Sequence, residues 1–234
     1  MEFISKNLLT ILTFFPALAA LTLLAFPDKE KGAAKAAALA IALVEFFVSL
    51  LLIPLFQPIP GYQLEQMVPW IPSIGASYHL GIDGISVFFV LLSTFLTPLA
   101  ILGSFDSVKE RVRDFMILLL LLETAMIGCL VALDVLLFYF FWEAVLIPMY
   151  FLIGIWGYDQ RVKASLKFFI YTLIGSLLML VAIIYIWHVT NIPGVPGGKS
   201  FDLVQWTQHV PGNPAVKTWH MWPVSYTHLT LPTN

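Results

Sequence analysis

The chain has 234 residues, 59% of them hydrophobic and 11% charged, with a mean hydropathy of +0.89 and a formal net charge of −2. A chain this apolar cannot have water as the solvent for most of its surface, and without a basic stripe or interleaved stacking aromatics it is not built to hold nucleic acid. The single cysteine, Cys129, excludes an internal disulfide and a cluster held by several thiolates.

A helix needs about 20 mainly apolar residues to cross a hydrocarbon layer ~30 Å thick. Six stretches qualify: residues 8–26, 33–56, 82–103, 115–133, 135–156 and 168–189. Each is too long and too uniformly apolar for a transmembrane strand, so the expected fold class is an all-α polytopic membrane protein. Lys6, a short apolar core and Ala17-Leu18-Ala19 imitate a signal peptide, but apolar sequence runs on to Phe26, which favours a retained helix. The polar segments 57–80 and 190–222 are rich in Pro, Gly and Trp, which suits ordered interfacial loops rather than a separate domain.

Positive charges set the expected orientation. Lys29, Lys31 and Lys35 follow the first stretch, Lys109, Arg111 and Arg113 the third, and Arg161, Lys163 and Lys167 the fifth, placing nine of the twelve Lys and Arg on one side. Lys6, Lys199 and Lys217 fall on the other. The first side is cytoplasmic by the positive-inside rule, which puts the N-terminus outward in a multi-pass protein of the inner (cytoplasmic) membrane. The last residues, 223–234, resemble the translation of a transposon-based sequencing adapter, so this tail, with its His228, is excluded from functional reasoning.

Ionisable groups inside a bilayer are costly, so each is a functional candidate. Glu143 comes eight residues into the fifth stretch, about 12 Å deep, and Glu123 eight residues into the antiparallel fourth. Glu45 sits near the middle of the second. Carboxyls at mid-depth on consecutive helices are what a buried proton relay requires, because a charge moved nearby can load or unload them. The competing role is a protonated glutamate joining helices by a hydrogen bond.

Pro148 lacks an N–H and leaves the Ala144 carbonyl free, either to hold water beside Glu143 or simply to kink the helix. Asp134, between the fourth and fifth stretches, has the position and chemistry of a helix N-cap. Small residues four apart, Ala125-Cys129 and Gly128-Ala132, allow close helix contact. Arg161 and Lys163 read as interfacial anchors preceding the sixth stretch, while Lys167, nearer the membrane, could face a polar interior or anchor in the same way. His188 has no partner histidine at matched depth for an axial haem pair, and no cofactor or metal site is expected in this chain.

The run Leu133-Asp134-Val-Leu-Leu-Phe-Tyr-Phe-Phe-Trp142-Glu143-Ala-Val-Leu-Ile-Pro148-Met149-Tyr150-Phe-Leu-Ile-Gly-Ile-Trp156-Gly157 closely resembles the fifth-helix region of the antiporter-like subunit M, or subunit 4, family of proton-translocating NADH:quinone oxidoreductase, respiratory complex I. His79-Leu-Gly-Ile-Asp83-Gly84-Ile-Ser86 and Lys167-Phe-Phe-Ile-Tyr171-Thr172 agree, and the resemblance extends from about Leu8 to Trp222.

The resemblance implies a membrane-arm subunit coupling quinone reduction to proton pumping. Its partners would be other membrane-arm subunits, antiporter-like ones included, and the lipid bilayer, with NADH, FMN, iron–sulfur clusters and quinone handled by partner subunits. It implies a fold of two inverted repeats, each with a broken helix, of which this chain would hold the N-terminal part. Residues 1–114 would be the three N-terminal helices, 115–222 the opening helices four to six of the first repeat, truncated, and 223–234 the foreign tail. In that family the glutamate matching Glu143 pairs with a lysine on the seventh helix, beyond this sequence, so the fragment alone is expected to be inactive. The alternative is a cation/proton antiporter subunit with no redox partner.

Overall fold

Five helical segments are long and apolar enough to cross a membrane: Lys31–Leu55, Ser86–Ser107, Val112–Val131, Val135–Trp156 and Arg161–Val189. The computed structural model describes residues 2–27 and 30–209, with side chains from Asn7 onward except that of Pro196. Lys29, Lys217, Trp222 and the tail 223–234 lie outside the described residues, as does the side chain of Lys6.

In chain order the elements are α1 Glu2–Leu23, α2 Lys31–Ser49, α3 Leu52–Leu55, strands β1 Gln63–Ile71 and β2 Ala76–Ile82, α4 Ser86–Ser107, α5 Val112–Val131, α6 Val135–Trp156, α7 Arg161–Val189 and the short α8 Leu203–His209. The first of the six expected spans falls in α1, where Asn7–Leu23 is an apolar helix among the residues whose side chains are described.

Three expectations are corrected. The segment expected as an ordered interfacial loop between α3 and α4 holds an antiparallel hairpin, β1 against β2, with register shifts between Gln63 and Gln66 and between Pro69 and Ile71. Those bulges, with Pro69 inside β1, erase the alternating pattern by which a strand is recognised. Ile82 ends β2, so α4 starts at Ser86 rather than at 82. And α7 begins at Arg161, which places Arg161, Lys163 and Lys167 within its first two turns instead of in a preceding loop.

The interior is built chiefly from aliphatic side chains such as Leu8, Leu12, Leu120 and Ile127, with a face of small residues on α2. On α2, Ala34, Ala38, Ala42, Glu45 and Ser49 are buried at three- and four-residue spacing, one face of a helix. Phe47, Phe88, Leu96, Ile147 and Val181 point outward, as expected of lipid-facing side chains where every backbone group is satisfied within its helix. Helix α5 is central and packs on α1, α2, α4 and α6, whereas α7 packs chiefly on α6.

The two ends of the bundle are tied differently. At one end the hairpin acts as a clasp: Thr10 of α1 bonds Gln66 and Tyr78, and Leu133 N–H donates to the His79 carbonyl. Phe201 N–H donates to the Gly75 carbonyl and the Trp187 indole to Ile74. Gly75 has φ 72°, and a Cβ there would strike the Lys199 carbonyl, so the tight turn requires glycine. At the other end Lys31 and Lys35 donate to the carbonyls of Lys109 and Phe105, Arg113 to Phe26, and the Trp156 indole to Glu110.

Candidate functional site: buried carboxyls in the helix bundle

The three intramembrane acids fall into two groups. Glu143, on α6, is partly buried, and its Oε1 is enclosed without a hydrogen-bond partner. One turn earlier Tyr139 has both the Glu143 carboxyl and Ser176 of α7 as electrostatic neighbours, so this acid lies toward the α6–α7 seam. Pro148 is buried in the same helix, five residues on.

Glu123 turns the other way. It lies 11 residues after Val112, about 16 Å into α5, and its neighbours are Glu45 of α2 and Thr97 of α4. Consecutive helices thus carry Glu123 and Glu143 to different seams, and the acid that faces Glu123 is Glu45. Nothing in a single helical pattern could have indicated that pairing, since 78 positions separate the two in sequence.

Asp134 is the N-cap of α6, its Oδ1 accepting from Leu136 and Leu137 N–H at 2.9 and 3.1 Å. Its Oδ2 accepts from the backbone N–H and hydroxyl of Ser77, which joins the cap to β2. Burial pushes this carboxyl above its usual range, against the pull of those donors. Lys167 is exposed, with Nζ 5.9 Å over the Tyr171 ring.

Sequence reasoning missed a second polar centre, at the hairpin end. His79 of β2 is buried, with Nδ1 2.6 Å from Asp202 Oδ2 and Nε2 3.2 Å from Glu65 Oε2. Asp83 caps α4, accepting from Ile85 and Ser86 N–H, and the Ser86 bond first among these holds its carboxyl below the usual range. Among the described residues no group of three or more His, Cys, Asp or Glu could hold a metal ion.

Residues 8–129 match the family model described as NADH-ubiquinone oxidoreductase chain 4, amino terminus, and residues 132–210 the one described as NADH:quinone oxidoreductase/Mrp antiporter, TM. The chain belongs to the NADH-ubiquinone oxidoreductase chain 4 family. It is 47% identical over 203 residues to NADH-quinone oxidoreductase subunit M of Rhodobacter capsulatus, covering 84% of this chain and 39% of that protein. A chain of respiratory complex I from Thermus thermophilus with bound NADH superposes with TM-score 0.74 at 26% identity, over 94% of this chain and 42% of the other. A chain of the Mrp complex from Dietzia sp. DQ12-45-1b gives TM-score 0.63 at 19% identity, over 76% and 19% of the two chains, a likeness of fold alone. This member of the chain 4 family spans about two fifths of the length of the curated relatives it matches.

Proposed function

We propose that the chain forms the N-terminal part of a proton-translocating membrane-arm subunit of NADH:quinone oxidoreductase, with Glu143 as its principal titrating group. The observation that carries the proposal is the pair of family matches, residues 8–129 to chain 4 and residues 132–210 to NADH:quinone oxidoreductase/Mrp antiporter, the second of which contains Glu143, a half-buried carboxyl with an unpartnered oxygen. In hydrocarbon such a carboxylate is expensive to ionise unless a cation approaches, so its protonation follows the position of that cation. The family resemblance supplies a lysine on the seventh helix, beyond this sequence, for that role. Tyr139 and Ser176 provide hydroxyls along which a proton can leave.

In this proposal Glu123 is a lesser proton site, and Glu45, Pro148 and Lys167 have relay or structural parts. The partners are other membrane-arm subunits, and NADH, FMN, iron–sulfur clusters and quinone are bound by partner subunits rather than by this chain. The cationic end of the bundle is cytoplasmic and the hairpin end, with the N-terminus, faces outward across the inner membrane. Residues 1–234 alone do not pump, because Glu143 needs its partner lysine. An antiporter subunit without redox partner is not favoured, since the curated relatives carry oxidoreductase names and the Mrp likeness concerns fold only.

The test is Glu143→Gln in the full-length subunit within its complex, which removes titration but keeps size and hydrogen bonding. The variant should assemble and lose most proton pumping in proteoliposomes, with Glu123→Gln less affected. Normal pumping by the assembled Glu143→Gln complex would refute the assignment.

A further inference from the structure

Glu45 and Glu123 are 0% and 1% exposed and lie in each other's electrostatic field. All four of their carboxyl oxygens are enclosed without a hydrogen-bond partner. Two buried carboxylates side by side cannot both ionise, and even one is costly without a cation.

Cations are remote from this depth. Lys35 precedes Glu45 by ten residues on α2, roughly 15 Å along the axis, and like Lys31 it is bonded to a carbonyl of the α4–α5 connection or the end of α4. Arg111 and Arg113 pair with Asp114 at the start of α5. Among the other titratable groups on the packed helices, Asp106 is at the cationic end of α4 and Glu2 and Lys6 at the start of α1. Cys129 is six residues past Glu123, toward the hairpin end of α5, and Glu143 faces Tyr139. Hydroxyls, in contrast, are close. Thr97 stands beside Glu123, and one turn after Glu45, toward the hairpin end, Ser49 bonds Thr94 at 2.7 Å.

We propose that Glu45 and Glu123 form a second proton-binding site, a carboxyl pair kept neutral at neutral pH that exchanges protons with the hairpin end of the bundle along Ser49 and Thr94 during pumping. This rests on the proton-translocating function proposed above. The ligand is the proton itself, and no co-reactant is needed: a proton bound from one side leaves by the same hydroxyls or to a neighbouring base.

The test uses the full-length subunit in its assembled complex, with Glu45→Gln, Glu123→Gln and Glu45→Asp. At neutral pH the wild type should show infrared absorption from protonated carboxyl that loses one group's share in each Gln variant and is retained in Glu45→Asp. Pumping per quinone reduced should fall in both Gln variants, less than in Glu143→Gln, and recover in Glu45→Asp. Ser49→Ala with Thr94→Val leaves both acids in place, so it should keep the absorption and slow pumping, a reading available even where a Gln variant fails to assemble. Absorption unchanged in the Gln variants would mean an ionised pair and overturn the proposal. Absorption reduced with pumping at the wild-type rate would make the pair a structural hydrogen bond, and normal pumping by Ser49→Ala with Thr94→Val would overturn the route. Normal pumping by Glu143→Gln would instead remove the function proposed for Glu143 and leave the infrared reading of the pair intact.

Discussion

His79 Nδ1 lies 2.6 Å from Asp202 Oδ2 although the two residues are 123 positions apart. Burial draws the imidazole below its usual value, but the hydrogen bond and charge of Asp202, then those of Glu65, outweigh it and leave His79 raised. Burial likewise pushes Asp202 up, but the His79 bond, the Gln205 N–H and the charge of His79 together more than reverse this. A raised histidine contributes its full stability below its ordinary value of 6.5 and loses it as pH climbs through the folded value. A lowered aspartate contributes above its ordinary 3.8 and loses that as pH falls. Amide exchange in β1 and β2, corrected for intrinsic rate, should therefore be slowest between these values and quicken on the alkaline side. His79→Gln should abolish the alkaline dependence; protection in the wild type that ignores pH would contradict the linkage.

Asp134 serves α6 and β2 at once, which makes it costlier to remove than an ordinary cap. Asp134→Ala loses a cap worth about 1 kcal/mol and leaves the buried Ser77 N–H without its acceptor, about 1–3 kcal/mol more. Thermal unfolding in detergent should show a clear fall in Tm, with Asp134→Asn closer to wild type because its carbonyl oxygen still accepts. Equal losses for Ala and Asn would point to the charge rather than to the bonds.

At Gly128 α5 and α6 touch closely, since a Cβ placed there would overlap the Phe141 ring. Gly128→Ala should cost about 1–3 kcal/mol as the ring is displaced, and Gly128→Ala with Phe141→Leu should recover part of it. A double-mutant cycle on Tm reads the coupling, and simple additivity of the two changes would count against the contact.

The orientation is open to direct labelling. Tyr158, 98% exposed between α6 and α7, belongs to the cationic end, and Ile59, 56% exposed, to the hairpin end. In intact cells an impermeant thiol reagent should modify Ile59→Cys and spare Tyr158→Cys until the cells are opened. The reverse pattern would invert the topology.

How much of this was legible in the sequence follows from the range of each interaction. Helix positions could be read because crossing hydrocarbon demands a local run of apolar residues, and Asp134 stood out because an N-cap acts within three residues of itself. The hairpin could not be read, because the bulges at Gln66 and Ile71 and the proline between them remove its periodicity. The start of α7 was misplaced for a different reason: Arg161, Lys163 and Lys167 are polar, yet the helix continues through them where it leaves the apolar layer. The pairing of Glu123 with Glu45, and of His79 with Asp202, depends on how elements distant in sequence pack, and no local pattern carries that.

The clasp has a mechanical consequence for α7. This helix is fastened near Trp187 and Thr190, by the indole bond to Ile74 and the Lys199 bond to the Thr190 carbonyl, while its other end rests chiefly on α6. Its 29 residues make a lever roughly 44 Å long with a fulcrum at the hairpin. A tilt of about 5° would swing Arg161 by about 4 Å and carry Ser176, some 20 Å from the pivot, by nearly 2 Å. A push on the cationic end of α7 would thus reach Ser176, beside Tyr139, as a shift along the α6–α7 seam.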